Sequence, residues 1–132
     1  MSAEDNAVTE VWTPRQSDFD RFAELSGDDN PIHVDPEFSA RTRFGRTVAH
    51  GMLLYSRLWA LAKRHWPDAA HAGQALMFPA PSYAGEPLVF RVAPVDGDPG
   101  RLSMTVTRQS DGGVTLQGEC VLEDRVLEGS GR

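Results

Sequence analysis

The sequence predicts an α+β domain in which an antiparallel sheet wraps around one long central helix, and three observations carry that prediction. From Gly51 to about Trp66 apolar residues occupy nearly every bearing of a helix through its first three turns, so the helix is expected to be surrounded by protein. Ala75 to Phe78, Leu88 to Val95, Leu102 to Thr107 and Val114 to Leu122 read as strands, several with period-two alternation. Helical segments come first and strands follow, which is the order of a segregated α+β domain, and a sheet curled round the helix is the simplest way to hide it.

Each element follows from local signals. Ala7 to Trp12 alternates apolar and polar residues and predicts a short strand ending at Pro14. Ser17 reads as an N-cap, with Asp18 and Asp20 in the first turn where the helix dipole favours negative charge; this helix runs to about Leu25 and stops at Gly27. Ser26-Gly27-Asp28-Asp29-Asn30-Pro31-Ile32-His33 is expected to be irregular, because Gly27 and Asn30-Pro31 both break helices. Asp35-Pro36-Glu37 starts a short second helix, with a capping acid and Pro at the first helical position. Arg41 to Val48 is expected to be irregular, and Pro67 ends the central helix before a polar stretch from Asp68 to Gly73. Asp96-Gly97-Asp98-Pro99-Gly100 and Ser110-Asp111-Gly112-Gly113 carry hairpin chemistry, so the last three strands form an antiparallel meander.

With 132 residues the chain is expected to be one domain, residues 1–132, with a loose polar tail over 123–132. No apolar run is long enough for a membrane span, and the acidic, polar start is unlike a signal peptide, so a soluble cytoplasmic protein is the expectation. The single Cys120 precludes an intrachain disulfide framework. A formal charge of −6, from 13 Lys and Arg against 19 Asp and Glu, argues against a nucleic-acid partner. Basic residues nevertheless gather at Arg41, Arg43, Arg46, Arg57, Lys63 and Arg64, which is either a solvated face or a means of greeting an anionic ligand.

Several chemistries lack their residues. There is no glycine-rich phosphate loop, the four His form no His-x-x-x-His pair, and a lone Cys offers no zinc ligand set, so no metal is expected. Cys120 falls on an apolar strand and reads as a core thiol. What remains is acid–base chemistry. Asp28 and His33 are five residues apart across the Asn30-Pro31 turn, so their side chains could converge on one water and move its protons. Equally, Asp28 or Asp29 could close an Asx-turn, Asn30 could bond the loop backbone and His33 could be a satisfied buried polar group. Gly51 opens the central helix, where free N–H groups and the dipole favour an oxyanion and the missing side chain admits a ligand carbonyl.

Phe22-Ala-Glu-Leu-Ser-Gly-Asp28-Asp-Asn30-Pro31-Ile-His33-Val-Asp35-Pro, followed by Phe44-Gly-Arg-Thr-Val-Ala-His50-Gly51-Met-Leu, resembles the MaoC-like dehydratases, the (R)-specific enoyl-CoA hydratases. Phe78 to Glu86 is similar to the Pro- and Gly-rich segment that leads into the sheet of that family. The resemblance spans roughly Asp18 to Phe90 and is most specific from Leu25 to Asp35. It implies a hotdog fold, dimerising through its sheet as a homodimer or dimer of dimers, with active sites near the subunit interface. It also implies reversible syn addition of water to a trans-2-enoyl thioester, carried by coenzyme A or an acyl carrier, giving the (R)-3-hydroxyacyl thioester without metal or redox cofactor. By the same resemblance Asp28 and His33 hold the water, Asn30 orders the loop and the Gly51 N–H binds the thioester oxygen.

Tyr55 and Trp59 follow Gly51 at four-residue intervals on one helix face and are candidates for the acyl pocket, with Trp59 bulky where a chain would run. Two other functions stay open. A hotdog thioesterase is disfavoured because Met52 to Trp66 carries no Asp or Glu to activate water, and a non-catalytic acyl-binding subunit because both Asp28 and His33 are present.

Overall fold

Alternating exposure along Val8–Trp12 makes strand β1, which pairs antiparallel with Leu88–Val95, β3. These elements belong to a computed structural model that describes residues 6–123; the expected loose tail, apart from Glu123, lies outside the described residues. Five strands form one antiparallel sheet in the order β1-β3-β4-β5-β2, where β2 is Ala70–Met77, β4 Asp98–Arg108 and β5 Val114–Glu123. The β3-β4-β5 meander is as the sequence predicts. The first hairpin turn is tighter than expected: only Asp96 and Gly97 are outside the strands, Gly97 takes a φ of 78°, and Asp98 to Gly100 already belong to β4. β2 begins at Ala70, five residues before the expected start, because an edge strand needs burial on only one face and so tolerates the polar residues of this stretch.

The central helix, Gly51–His65, is numbered α4; three shorter helices precede it, α1 (Gln16–Ser26), α2 (Pro31–Val34) and α3 (Pro36–Ala40). α4 packs on β1, β3 and β5. Leu54, Leu58, Leu61 and Ala62 join Leu88, Phe90, Val92, Leu102, Met104 and Leu116 in one core. Each of the Leu, Val, Phe and Met side chains taken wholly out of water contributes about 1.5–3 kcal/mol. The helix is not enclosed on all sides: Met52, Ser56, Ala60 and Arg64, at four-residue spacing, face outward in the single chain. Its last turn carries Lys63, Arg64 and His65, the charge sign that suits a helix C-terminus.

Two local predictions need correction. α1 starts at Gln16 and its cap is Arg15, not Ser17: the Arg15 N–H donates to the Asp18 carboxylate at 2.8 Å, so Asp18 stabilises the first turn from its third position. The segment after Gly27 is not wholly irregular. Gly27 ends α1 in the left-handed region at φ 82°, but Pro31 then opens the single-turn α2, where the missing N–H of Pro has no helical partner to lose.

Candidate active site

Asn30 accepts the Ile32 N–H on its side-chain oxygen at 3.2 Å and so caps α2, while the Asp35 carboxylate accepts the Phe38 N–H at 3.1 Å and caps α3. The downstream end of the loop between α1 and α2 is thereby fixed. Upstream, the Ser26 hydroxyl donates to the Phe22 carbonyl at 2.7 Å and accepts the Asp28 N–H at 3.1 Å. α2 is tied to the rest of the fold from three sides: Gln16 Nε2 donates to the His33 carbonyl at 2.8 Å, the buried Ser39 hydroxyl reaches the Pro31 and Ile32 carbonyls, and the Val48 N–H donates to Ile32 O at 2.9 Å.

These restraints fix the orientation of His33, which is buried. Its Nδ1 lies 2.8 Å from the Val48 carbonyl. A carbonyl can only accept, so Nδ1 carries a proton, and in the neutral ring Nε2 presents a lone pair. That lone pair stands 3.9 Å from Asp28 Oδ2, and the Asp28 side chain is about half exposed. The gap is too long for a direct hydrogen bond and suits two acceptors sharing one small donor.

A third group joins them that the sequence reading did not single out for a role. His50, almost wholly buried, donates Nε2–H to the Asp28 main-chain carbonyl at 2.8 Å, and its ring stacks on His33 with centroids 3.9 Å apart and planes 23° apart. Phe22 and Phe19 pack against the other parts of the ring. Burial lowers the His50 pKa below its ordinary value, the nearby His33 adds to this, and the Asp28 carbonyl and charge oppose it. With Nε2 donating, Nδ1 is an acceptor, and it is buried without a protein partner. Asp28, His33 and His50 each bring a potential ligand atom within 4.8 Å of the others, a grouping that helical His spacing could not reveal. His33 Nδ1 and His50 Nε2 are both engaged by main-chain carbonyls, so each ring has one nitrogen left for other chemistry.

Gly51, the first residue of α4, follows His50 directly. The amides of a first helical turn lack intrahelical acceptors, which makes this end suitable for an oxyanion. The missing side chain also has a packing reason: a Cβ on Gly51 would meet the Phe78 ring at 2.5 Å. Phe78 is itself half exposed. Farther along α4, Tyr55 is buried and its hydroxyl lies 2.7 Å from His71 Nε2, and Trp59 stands edge-on to the same imidazole at 5.1 Å. The two acyl-pocket candidates therefore share β2 residue His71 as neighbour. Cys120 is fully buried and burial pushes its thiol up to about 11, which keeps it protonated and unreactive at neutral pH.

Glu10 of β1 reaches across to α4. Its two carboxylate oxygens are occupied by Arg57 at 3.0 Å and Arg64 at 2.7 Å.

Comparison with known proteins accords with this geometry. Residues 2–114 match the family described as MaoC like domain. Over 73 residues the chain is 41% identical to the (R)-specific enoyl-CoA hydratase of Aeromonas caviae, covering 54% of each. Over 72 residues it is 36% identical to the mitochondrial 3-hydroxyacyl-[acyl-carrier-protein] dehydratase of Arabidopsis thaliana, covering 54% of this chain and 43% of that protein. The chain thus spans about half the length of these two relatives. The solved structure of the (R)-hydratase of A. caviae, described as involved in PHA biosynthesis, superposes with a TM-score of 0.81 at 30% identity, covering 89% of this chain and 93% of that one.

Proposed function

The chain belongs to the MaoC-like domain family and has its hotdog fold, and from that premise we propose that it is a hydro-lyase adding water reversibly to a trans-2-enoyl thioester, giving the (R)-3-hydroxyacyl thioester. The observation that carries the reading is the pair formed by His33 Nε2 and Asp28 Oδ2, 3.9 Å apart, with the opposite His33 nitrogen locked on the Val48 carbonyl.

A water between these two acceptors gives one hydrogen to each, which leaves an oxygen lone pair directed away from both. Attack by that lone pair on C3 of the enoyl thioester requires one of the two acceptors to take a proton. C2 then needs a proton from the same side. Asp28 in the loop and His33 on α2 flank the same water from one side of the site, so hydrogen and hydroxyl reach one face of the double bond, which is syn addition. Charge that accumulates on the thioester oxygen during attack falls to the N-terminal amides of α4, beginning at Gly51. Asp28 and His33 work as a coupled pair, and the cycle returns both to their starting protonation. Water is the co-reactant, and the reading asks for no metal or redox cofactor. The carrier is coenzyme A or the pantetheine arm of a carrier protein, and two copies of the chain assemble through the sheet.

Purified protein incubated with crotonyl-CoA tests this directly. The expected result is reversible loss of the conjugated alkene, no release of free thiol, and (R)-3-hydroxybutyryl-CoA as product. Thiol release would assign a thioesterase instead, and neither change would assign a non-catalytic subunit.

A further inference from the structure

One polar side chain outside the acid–base pair holds both of the segments on which His33 depends. Gln16, half-buried at the start of α1, donates from Nε2 to the His33 carbonyl at 2.8 Å and to Asp20 Oδ1 at 3.0 Å, while its Oε1 accepts the Thr47 hydroxyl. The orientation of this amide is forced. A carbonyl and an ionised carboxylate only accept, so the NH2 group must face them, and Oε1 is left for the hydroxyl. Thr47 is buried, so its hydroxyl needs an acceptor inside the protein, and Oε1 is that acceptor.

The segments that Gln16 joins give it a role. Thr47 precedes Val48, whose carbonyl holds His33 Nδ1 at 2.8 Å and whose N–H donates to the Ile32 carbonyl at 2.9 Å. α2 is a single turn of four residues, too short to hold itself, so its placement against Val48 depends on such ties. The Gln16 amide bonds to α2 at the His33 main chain and to the neighbouring segment at Thr47, and so fixes how closely the two stand. If they separate, His33 Nδ1–H loses its acceptor and the ring is free to carry its proton on Nε2 instead. That tautomer turns an N–H toward Asp28, 3.9 Å away, and offers no lone pair to a water. We propose that Gln16, acting with Thr47, is a positioning residue for the reaction, its amide selecting the His33 tautomer that can accept a proton. The proposal rests on the hydration reading above and adds what keeps His33 in its working state.

NMR of the intact protein labelled with ¹⁵N-histidine, with crotonyl-CoA kinetics alongside, tests this. Spectra at pH 8 read which ring nitrogen of a neutral imidazole carries the proton, and the signal lost in His33→Ala assigns His33. The wild type is expected to show His33 held in the Nδ1–H form. Gln16→Glu keeps size and shape but sets a carboxylate against the His33 carbonyl and Asp20, and Gln16→Met keeps length but removes both polar ends. Both are expected to spread the His33 proton over the two nitrogens and to lower kcat about ten- to a hundredfold, the scale of a misplacement remote from the chemistry, with KM little changed. Thr47→Val is expected to act in the same direction, and Thr47→Ser, which restores the hydroxyl, to recover both the His33 signal and kcat. A clasp that is only structural lowers the melting temperature while the folded variants keep the wild-type His33 signal and kcat, and that result overturns the proposal. If Gln16→Glu does not fold, Gln16→Met and Thr47→Val decide by the same criteria. The spectra need no turnover, so failure with crotonyl-CoA would overturn the reaction and leave the tautomer control to be judged from them.

Discussion

His50 is stacked on His33 at 3.9 Å while its Nε2–H is held by the main-chain carbonyl of Asp28, so one buried ring touches both members of the acid–base pair. Its lowered pKa keeps that ring neutral, and a neutral neighbour does not repel a proton arriving on His33.

His50 is thus expected to act as a positioning residue. His50→Phe keeps an aromatic ring against His33 and removes the donor to Asp28, at a cost of ~1–3 kcal/mol in stability. Turnover is expected to fall on the order of tenfold, about 1.4 kcal/mol in barrier, with KM for crotonyl-CoA little changed. The pH dependence of stability supplies a second readout. A folded pKa below the unfolded 6.5 means that the unfolded chain takes the proton first, so this group's contribution is present above pH 6.5 and is lost as pH falls below it. Chemical denaturation between pH 7.5 and 5 should show a smaller acid loss in His50→Phe than in the wild type; identical slopes would count against a neutral buried His50.

Much of the fold was legible because its signals are local. The apolar α4 with its Pro67 stop and the alternating β3 leave little choice of structure, and their observed limits fall within a residue of those expected. β2 was half legible: its core-facing residues are interrupted by polar ones and by a register shift between His71 and Gly73, so period-two alternation fails there. At the site, the capping roles of Asn30 and Asp35 could be read from adjacent Pro residues, whereas the His50 contact joins positions 22 residues apart. Only folding brings those two together. His71 was missed for the same reason, since its partner Tyr55 is on another element.

Trp59 is expected to limit acyl chain length. It stands two turns beyond Gly51 on the same face of α4, half-buried against His71. Trp59→Ala should raise turnover of an eight-carbon enoyl thioester relative to crotonyl-CoA, with a stability cost of about 3–5 kcal/mol if the site does not collapse. Comparing kcat/KM for the two substrates in a variant shown to be folded checks this, and an unaltered ratio would remove Trp59 from the pocket.

The chain is expected to be at least a dimer. β1 and β2 are the edges of an open sheet, and Met52, Met77 and Phe78 remain about half exposed or more in the single chain. Edge strands and exposed apolar side chains of this kind are commonly covered by a second copy around a two-fold axis. Sedimentation velocity at micromolar concentration should give about twice 14.5 kDa or more; a monomer that is fully active would contradict this assembly.

The Asp28 and His33 variants separate chemistry from architecture. If the two groups share one water, Asp28→Asn and His33→Ala should each lower turnover by about 10²–10⁴, the usual contribution of a general acid or base. The double variant should fall little below the worse single one, because groups acting as a unit are not additive. A purely structural role gives the opposite pattern. His33→Ala would then break the bond to the Val48 carbonyl and Asp28→Asn would disturb the Asn30 N–H contact at 3.4 Å, costing stability of ~1–3 kcal/mol while activity per folded molecule survives. The His50 bond, made to the Asp28 main chain, persists in Asp28→Asn, so that variant tests the carboxylate with the loop still anchored. Hydration rate and melting temperature measured on all three variants decide between the two, and near wild-type turnover in folded Asp28→Asn would remove the carboxylate from the reaction.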